Sequence, residues 1–220
     1  MENTNINMQL KSLSAFYEKG DYDNVIDGFL KLRGELPKDI FHYNLGSAFT
    51  KKGEYGAGRY HLELALKNNY WRSPALKNID SIKKIQSIRD VSNSKSLTDS
   101  VINNYDQVST DVFAFISLSL ILFSIFLIFK KYIARTSFIL LLVFSTLPLG
   151  SKIYTSKVFK SAVLLEETKI SEGPSKAFEI NFDLKAGSKV FVSKESDGWF
   201  YIEYPQNMNG WVSAKKLGFL

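Results

Sequence analysis

The longest run of apolar positions in the chain is Val112–Phe129, which contains eighteen residues without a charged side chain. As an α-helix this run is about 27 Å long, close to the thickness of the hydrocarbon core of a bilayer. A second apolar run, Thr136–Gly150, follows a short basic connector, and it reaches spanning length over about 132–154 if Arg135 extends toward the lipid headgroups. The pattern predicts a two-helix transmembrane hairpin at 112–154. The competing interpretation is a buried helical hairpin in a soluble core.

The positive charge of the chain is concentrated around this hairpin. The formal net charge is +6. Residues 1–111 contribute a balance of +1 and residues 161–220 a balance of −1, whereas residues 112–160 contain six bases and no acids. The excess therefore reflects membrane topology and argues against a nucleic-acid-binding face.

The same charges bear on which side of the membrane the rest of the chain occupies. The connector contains Lys130, Lys131 and Arg135, and the fifteen residues before the first span contain acids but no bases. By the positive-inside rule, this distribution of charge predicts that the connector lies in the cytoplasm. Both flanking domains would then lie in the periplasm, because two crossings return the chain to its starting side. Three lysines after the second span, and a start without signal-peptide character, favour the cytoplasm instead. We expect a multi-pass protein of a bacterial inner membrane, with periplasmic domains favoured over cytoplasmic ones.

The region before the hairpin repeats itself at an offset of 33 positions. The pairs are Ala15 and Ala48, Phe16 and Phe49, Gly20 and Gly53, and Tyr22 and Tyr55. A period of this length is typical of arrays of helical hairpins, and glycine at each turn permits the positive φ with which a helix often ends. Residues 1–91 are therefore expected to form an all-α repeat domain.

An amphipathic helix is predicted after Ser73-Pro74. Its apolar positions recur every three residues, at Leu76, Ile79, Ile82, Ile85 and Ile88. This pattern is typical of a capping helix that covers the open edge of a repeat array, and the alternative is a free helix for a membrane surface or a partner. The polar segment 92–111 is expected to be a linker.

Short alternating runs with glycine turns predict a small all-β barrel over residues 161–220. Lys189–Ser193 and Trp199–Tyr204 alternate between apolar and polar positions, and Asp197-Gly198 and Asn209-Gly210 are hairpin signals. Five or six such strands in sixty residues favour a small barrel.

The sequence contains little that indicates chemistry. It has no cysteine and two histidines, His42 and His61, neither of which is followed by a potential metal ligand three or four residues further along the chain. Phosphate-binding and nucleophile-elbow motifs are absent from the sequence. We expect a protein that is not an enzyme and that uses no cofactor or metal.

Two segments resemble known modules. Phe41–Tyr70 resembles a tetratricopeptide repeat through Tyr43-Asn44-Leu45-Gly46, Ala48-Phe49 and Gly53, with Gly58 in place of the usual alanine. Residues 161–220 resemble a bacterial SH3 domain. The motifs that carry this second resemblance are Glu172-Gly173-Pro174-Ser175, Leu184-Lys185-Ala186-Gly187-Ser188-Lys189-Val190, Asp197-Gly198-Trp199 and Asn209-Gly210-Trp211-Val212. The SH3 resemblance implies binding to cell-wall peptides or protein segments.

The order of modules is similar to that of Bat-type aerotolerance proteins of the BatE subfamily. The predicted fold is a multidomain membrane protein with tetratricopeptide-like repeats, a transmembrane hairpin and a terminal SH3-like barrel. The resemblance implies work beside von Willebrand-type Bat proteins and a MoxR-type ATPase, in stress tolerance or envelope assembly. We expect a non-enzymatic adaptor or scaffold. The alternative is an envelope sensor that binds peptidoglycan through the barrel and recruits a partner through the repeats.

Two sets of binding residues follow from the predicted register. The repeat groove is expected to present Ser14, Tyr17, Tyr43, Ser47, Thr50 and Lys51 to a peptide. The barrel is expected to present Trp199, Tyr201, Tyr204 and Trp211, although large aromatic residues at such positions also serve simply to fill a core.

Overall fold

The computed structural model of the protein describes residues 2–68 and 73–220. Met1 and residues 69–72, which include Tyr70 at the end of the second predicted repeat, lie outside the described residues. The chain divides into two compact units. We call residues 1–101 with 161–220 the repeat–sheet body and residues 102–160 the apolar hairpin unit.

The described residues form eight α-helices and a seven-stranded antiparallel sheet. The helices are α1 (Glu2–Glu18), α2 (Tyr22–Lys31), α3 (Lys38–Lys52), α4 (Tyr55–Asn68), α5 (Ser73–Ile85), α6 (Leu97–Gln107), α7 (Thr110–Phe129) and α8 (Arg135–Val158). The strands are β1 (Lys160–Leu164), β2 (Thr168–Ser171), β3 (Ile180–Leu184), β4 (Lys189–Ser196), β5 (Trp199–Tyr204), β6 (Gly210–Ser213) and β7 (Leu217–Phe219). The prediction of a helical region, two apolar helices and a small β domain is confirmed at this level.

Helices α1–α5 pack in succession, each on the next. Gly20 and Gly53, the two repeat glycines, have φ of 78° and 91°, as the turn prediction requires. The buried side chains form two clusters, one mainly between α1, α2 and α3 and one between α4 and α5. The first contains Leu13, Val25, Ile26, Phe29, Leu32, Phe41, Leu45 and Ala48, and the second Leu62, Leu66, Ala75, Ile79, Ile82 and Ile88.

Helices α3 and α4 cross so closely that both need glycine at the contact. A Cβ added to Gly46 would lie 2.9 Å from the carbonyl oxygen of Gly58. A Cβ added to Gly58 would lie 2.6 Å from the Thr50 hydroxyl and 3.0 Å from its backbone nitrogen. Alanine at either position would not fit, because the two backbones leave no room for a methyl group.

The segment predicted to be a linker, 92–111, contains regular secondary structure. The Asp90 side chain caps a short 3₁₀ turn, Val91–Asn93, in a capping box with Asn93, and helix α6 follows. The Asn93 side chain also donates to the carbonyl of Ile88 at 2.8 Å. Side chains that bond to their own backbone give this polar stretch its structure without an apolar period.

The sheet has the strand order β3-β2-β6-β5-β4-β1-β7. The Asp197-Gly198 turn between β4 and β5 has positive φ at both residues, 48° and 77°, as a tight hairpin requires. Asn209-Gly210 is not such a turn, since a 3₁₀ turn, Gln206–Met208, joins β5 to β6 and Gly210 begins β6. The core of the sheet contains Ala162, Leu164, Ile170, Leu184, Val190, Val192, Phe200, Ile202, Val212 and Leu217.

Helices α7 and α8 are long and apolar enough to cross a membrane, and only 11% of the apolar window of each is buried. Such exposure does not fit the alternative of a hairpin buried in the core of this chain. Helix α8 begins at Arg135, three residues later than expected, because Lys131 adopts a φ of 57° and ends α7. The Tyr132 amide then donates to the carbonyl of Leu127.

Several polar groups of the apolar hairpin unit form hydrogen bonds within it. Pro148 lies inside α8, and the nearby Leu149 amide donates to the Ser117 hydroxyl of α7 at 3.2 Å. Lys152 is buried, and its Nζ donates to the carbonyl oxygens of Tyr105 at 2.8 Å and of Asp106 at 3.2 Å. The carbonyl groups at the C-terminal end of α6 attract a cation. Lys152 therefore has a structural role within the unit.

Candidate functional site

The clearest candidate site is a groove of about 450 Å³ in the helical part of the repeat–sheet body. Its walls come from α1, α2, α3 and α5. The lining residues are Leu10, Leu13, Ser14, Tyr17, Val25, Phe29, Ile40, Tyr43, Asn44, Ser47 and Asn78. We call this the repeat groove.

Helical spacing positions these side chains. On α1, Leu10, Ser14 and Tyr17 recur at intervals of four and three residues and share one face. On α3, the same rule places Ile40 and Tyr43 beside Asn44 and Ser47. The repeat groove is thus the place where one face of α1 meets the corresponding face of α3.

The side-chain amides of two asparagines form hydrogen bonds along the polar edge of the repeat groove. The Asn78 amide of α5 donates to the Ser47 hydroxyl at 3.0 Å, and the Asn44 amide donates to the Ile40 carbonyl at 2.9 Å. Both carboxamide oxygens remain available as hydrogen-bond acceptors on this wall. The groove therefore combines an apolar floor with amide and hydroxyl groups, as sites for peptide segments do.

Four of the six predicted groove residues meet here, namely Ser14, Tyr17, Tyr43 and Ser47. Thr50 lies elsewhere, against Gly58, and its hydroxyl donates to the Gly46 carbonyl at 2.6 Å. Lys51 is exposed and does not line the groove. Of the lining residues that the prediction missed, Ile40 and Asn44 could have been found from their spacing to Tyr43. Asn78 could not, because only the packing of α5 brings it to Ser47.

The repeat groove is electrically neutral, since none of its lining residues carries a charge. Burial raises the pKa of Tyr17, and Tyr22 and Tyr43 nearby raise it further. Tyr17 thus keeps its proton and can donate a hydrogen bond. A ligand that fits this surface is an uncharged stretch of peptide with backbone groups to pair.

The four predicted aromatic residues of the sheet are half-buried and divide into two sets. Tyr201 of β5 lies opposite Trp211 of β6, with ring centroids 5.5 Å apart in an edge-to-face arrangement. Trp199 lies two residues before Tyr201 and shares its face of the sheet. Tyr204 lies beyond an irregularity in the β4–β5 register and is opposite Phe191 of β4. The register therefore groups Trp199, Tyr201 and Trp211, and separates Tyr204 from them.

A buried cluster of four charges joins the helices to the sheet within the repeat–sheet body. It consists of Arg59 and Glu63 on α4, Asp90 before the 3₁₀ turn, and Lys189 at the start of β4. The Arg59 side chain is 0% exposed and donates to Asp90, to Glu63 and, at 2.7 Å, to the Gly187 carbonyl. Asp90 also accepts from the Lys189 amide at 2.8 Å. We call these four residues the charge cluster.

Two acids and two bases make the charge cluster neutral overall. Burial disfavours both carboxylates, but Lys189 and Arg59 outweigh it and lower the pKa of Glu63. Burial is likewise outweighed at Asp90, whose pKa is lowered by Arg59 and by the Lys189 and Ser92 donors. Both carboxylates are therefore ionised at neutral pH, and their bonds to Arg59 and Lys189 link the helices to the sheet within the repeat–sheet body.

No protein-family model matches this chain, and no curated protein matches it. In the described residues, no group of three or more histidine, aspartate or glutamate side chains is placed to hold a metal ion.

His42 and His61 form a direct pair between α3 and α4. Their Nδ1 atoms are 2.9 Å apart, so one ring donates and the other accepts, which requires the accepting ring to be neutral. The His61 ring also stacks on Phe49, with centroids 5.5 Å apart. Burial, and then His42 and Arg33, lower the pKa of His61 to about 4.

We expect the stability of the repeat–sheet body to fall as the pH drops from 7 to 5. The folded-state pKa of His61, about 4, lies below its ordinary value of 6.5, so the unfolded chain binds the proton first. Stability is full above about pH 6.5 and is lost as the pH falls toward 4, by about 1–2 kcal/mol at pH 5. Urea unfolding at several pH values checks this. The His61→Phe variant, which keeps the stacked ring, should show a flatter profile, and an unchanged profile would exclude the histidine pair as the cause.

Proposed function

We propose that this protein is a membrane-anchored, non-enzymatic adaptor whose repeat groove binds a peptide segment of a partner protein. The observation that carries the proposal is the repeat groove itself, a neutral groove of about 450 Å³ lined by residues of four helices. Its mixture of apolar side chains with amide and hydroxyl groups suits a peptide better than a small charged substrate. Helices α7 and α8 supply the anchor, since both are long and apolar enough to cross a membrane.

The system in which this adaptor works is proposed from the resemblance. The helical part is of the tetratricopeptide type and the sheet is a bacterial SH3-like domain. This order of modules around an apolar hairpin supports a Bat-type aerotolerance protein of the BatE subfamily. The partners would then be von Willebrand-type Bat proteins and a MoxR-type ATPase, acting in stress tolerance or envelope assembly.

We propose that the repeat–sheet body faces the periplasm from a bacterial inner membrane. The bases of the connector, Lys130, Lys131 and Arg135, support a cytoplasmic connector and thus this side. Lys152, one of the three lysines that argue for the opposite side, is accounted for by its hydrogen bond to the Tyr105 carbonyl. A reporter active only in the periplasm should be active after Leu220 and inactive when inserted after Arg135. The reverse result would put the body in the cytoplasm and leave the groove proposal intact.

Tyr43→Ala is expected to lower recovery of the partner by about tenfold, because large aromatic anchors dominate such interfaces. Tyr43 lines the repeat groove, whereas the exposed Lys51, eight residues further along α3, does not. The measurement is a pull-down of the full chain in detergent, with quantitative mass spectrometry of the proteins retained.

Lys51→Glu is the matched control on the same helix and should leave recovery unchanged. Ser14→Leu, on the opposite wall of the repeat groove, should reproduce the loss. Equal recovery with wild type, Tyr43→Ala and Ser14→Leu would remove the repeat groove as the binding site. Loss with Lys51→Glu alone would place binding on the outer surface of α3.

A further inference from the structure

A second cavity, of about 700 Å³, lies within the repeat–sheet body where the segment around α6 meets the β5–β6 connection. Its volume falls within the range of small-molecule sites. The lining residues are Arg89, Asp90, Asn93, Ser94, Lys95, Ser96, Asp99, Pro205, Gln206, Asn207 and Met208. We call it the seam cavity, and no residue of the repeat groove belongs to it.

The walls of the seam cavity are fixed by hydrogen bonds between distant parts of the chain. Asp99 is 1% exposed, and its carboxylate accepts from the Ser94 hydroxyl at 2.5 Å and from the Gln206 amide at 3.3 Å. The Thr98 hydroxyl donates to the Gln206 side chain at 3.2 Å. The cavity is thus a preformed feature of the fold, with Asp99 joining its two sides.

The two acids that line the seam cavity already have hydrogen-bond partners within the fold, whereas the two bases that line it have none among the described residues. Asp90 belongs to the charge cluster, and Asp99 holds the Gln206 connection. Arg89 and Lys95 are exposed on the same cavity, and in the described part of the chain neither has a hydrogen bond or an ion pair. The groups left to meet a ligand are therefore cationic.

The charge around the seam cavity favours a ligand with a single negative charge. Arg59 balances Asp90, so the unbalanced charges are the two bases, Arg89 and Lys95, against the one carboxylate of Asp99. A monoanion leaves the site neutral, whereas a dianion leaves it with a net negative charge. Arginine pairs with a carboxylate through two parallel hydrogen bonds. Pro205 and Met208 add apolar surface beside these groups.

We propose that the seam cavity binds a small ligand carrying one carboxylate next to an apolar group, with Arg89 and Lys95 as the residues that pair with the carboxylate. The free C-terminal residue of a short peptide has this chemistry. The site is separate from the repeat groove and does not depend on what the groove binds.

The test is isothermal titration calorimetry of the full chain in detergent with N-acetylated dipeptides of differing terminal side chains. Each dipeptide is used both as the free carboxylate and as the C-terminal amide, and inorganic phosphate is a third probe. We expect at least one carboxylate to bind about tenfold or more tightly than its amide and than phosphate, with affinity falling as salt rises. Arg89→Gln and Lys95→Gln should each weaken binding of that carboxylate by about tenfold.

Lys215→Gln is the matched control, since Lys215 is an exposed lysine between β6 and β7 that does not line the cavity. It should bind like wild type, and so should the groove variant Tyr43→Ala. Equal binding of carboxylate and amide, no binding of any carboxylate, or tighter binding of phosphate would each overturn the proposal. So would unchanged affinity in both Arg89→Gln and Lys95→Gln.

Discussion

Arg59→Met is expected to lower the free energy of unfolding of the repeat–sheet body by about 3–5 kcal/mol. The substitution keeps an unbranched chain of similar length but removes the guanidinium at the centre of the charge cluster. Two buried carboxylates, Glu63 and Asp90, would then share a single base, Lys189. The Gly187 carbonyl, which accepts from Arg59 at 2.7 Å, would also lose its donor. A buried charge without its partner is costly because no water replaces the lost bonds.

Equilibrium urea unfolding of the full chain in detergent, followed by tryptophan fluorescence, measures this effect. Trp199 and Trp211 both lie in the sheet and report on it directly. Lys185→Met is the matched control, because Lys185 pairs with Glu167 at 2.9 Å but both side chains are about half exposed. Its effect should stay below about 1 kcal/mol. An equally small effect of Arg59→Met would mean that the cluster contributes no more than a surface ion pair.

A double-mutant cycle separates the charge cluster from simple loss of packing. Asp90→Asn alone removes a carboxylate and should destabilise the body, because Arg59 then lacks its closest acid. When Arg59→Met and Asp90→Asn are combined, the loss should be smaller than the sum of the two single losses. Strict additivity would show that the two side chains act independently, against the geometry of the cluster.

The features that the sequence predicted well are those written in local pattern. The apolar run Val112–Phe129 and the offset of 33 between Gly20 and Gly53 depend only on neighbours along the chain, and both correspond to observed helices and turns. The Asp197-Gly198 turn is also a local signal, because this dipeptide by itself indicates a turn with positive φ at two positions. Such signals survive because tertiary contacts do not oppose them.

The features that it missed depend on contacts between distant residues. Arg59 and Glu63 have the spacing of an ordinary surface pair on a helix, and nothing near them in sequence indicates Asp90 or Lys189. Their burial follows only from the packing of α4 against the sheet. The seam cavity was missed for the same reason, because Asp99 and Gln206 are 107 positions apart. Local sequence patterns thus predict the secondary structure of each module. The contacts between the helices and the sheet depend on tertiary packing and are not visible in those patterns.

The residues of the repeat groove show the same contrast between local patterns and tertiary contacts. Tyr17 and Tyr43 line the groove, and the repeat register fixes which face of a helix they occupy. Thr50 was misplaced because its hydroxyl bonds to its own helix at the α3–α4 crossing. A rule based on register cannot anticipate that a polar side chain satisfies itself locally.

Gly56→Ala is expected to destabilise the repeat–sheet body by about 1–3 kcal/mol, although alanine favours a helix over glycine by about 1 kcal/mol. A Cβ at Gly56 would lie 2.0 Å from the carbonyl oxygen of Leu165 and 2.7 Å from its Cα. These are backbone atoms, so no side-chain rotation relieves the overlap. The first turn of α4 and the chain just after β1 would have to separate, which also strains the charge cluster one turn further along α4 at Arg59.

Hydrogen exchange locates the change. Residues 161–190 and α4 should exchange faster in Gly56→Ala, while α1 and α2 should not change, because their apolar core lies apart from the contact. Gly150→Ala is the matched control, since Gly150 lies in helix α8 and a Cβ there has no atom within 4 Å. It should be neutral or slightly stabilising. If Gly56→Ala behaved like Gly150→Ala, the helical repeats and the sheet could not be held at the distance described, and a rigid union between them would have to be abandoned.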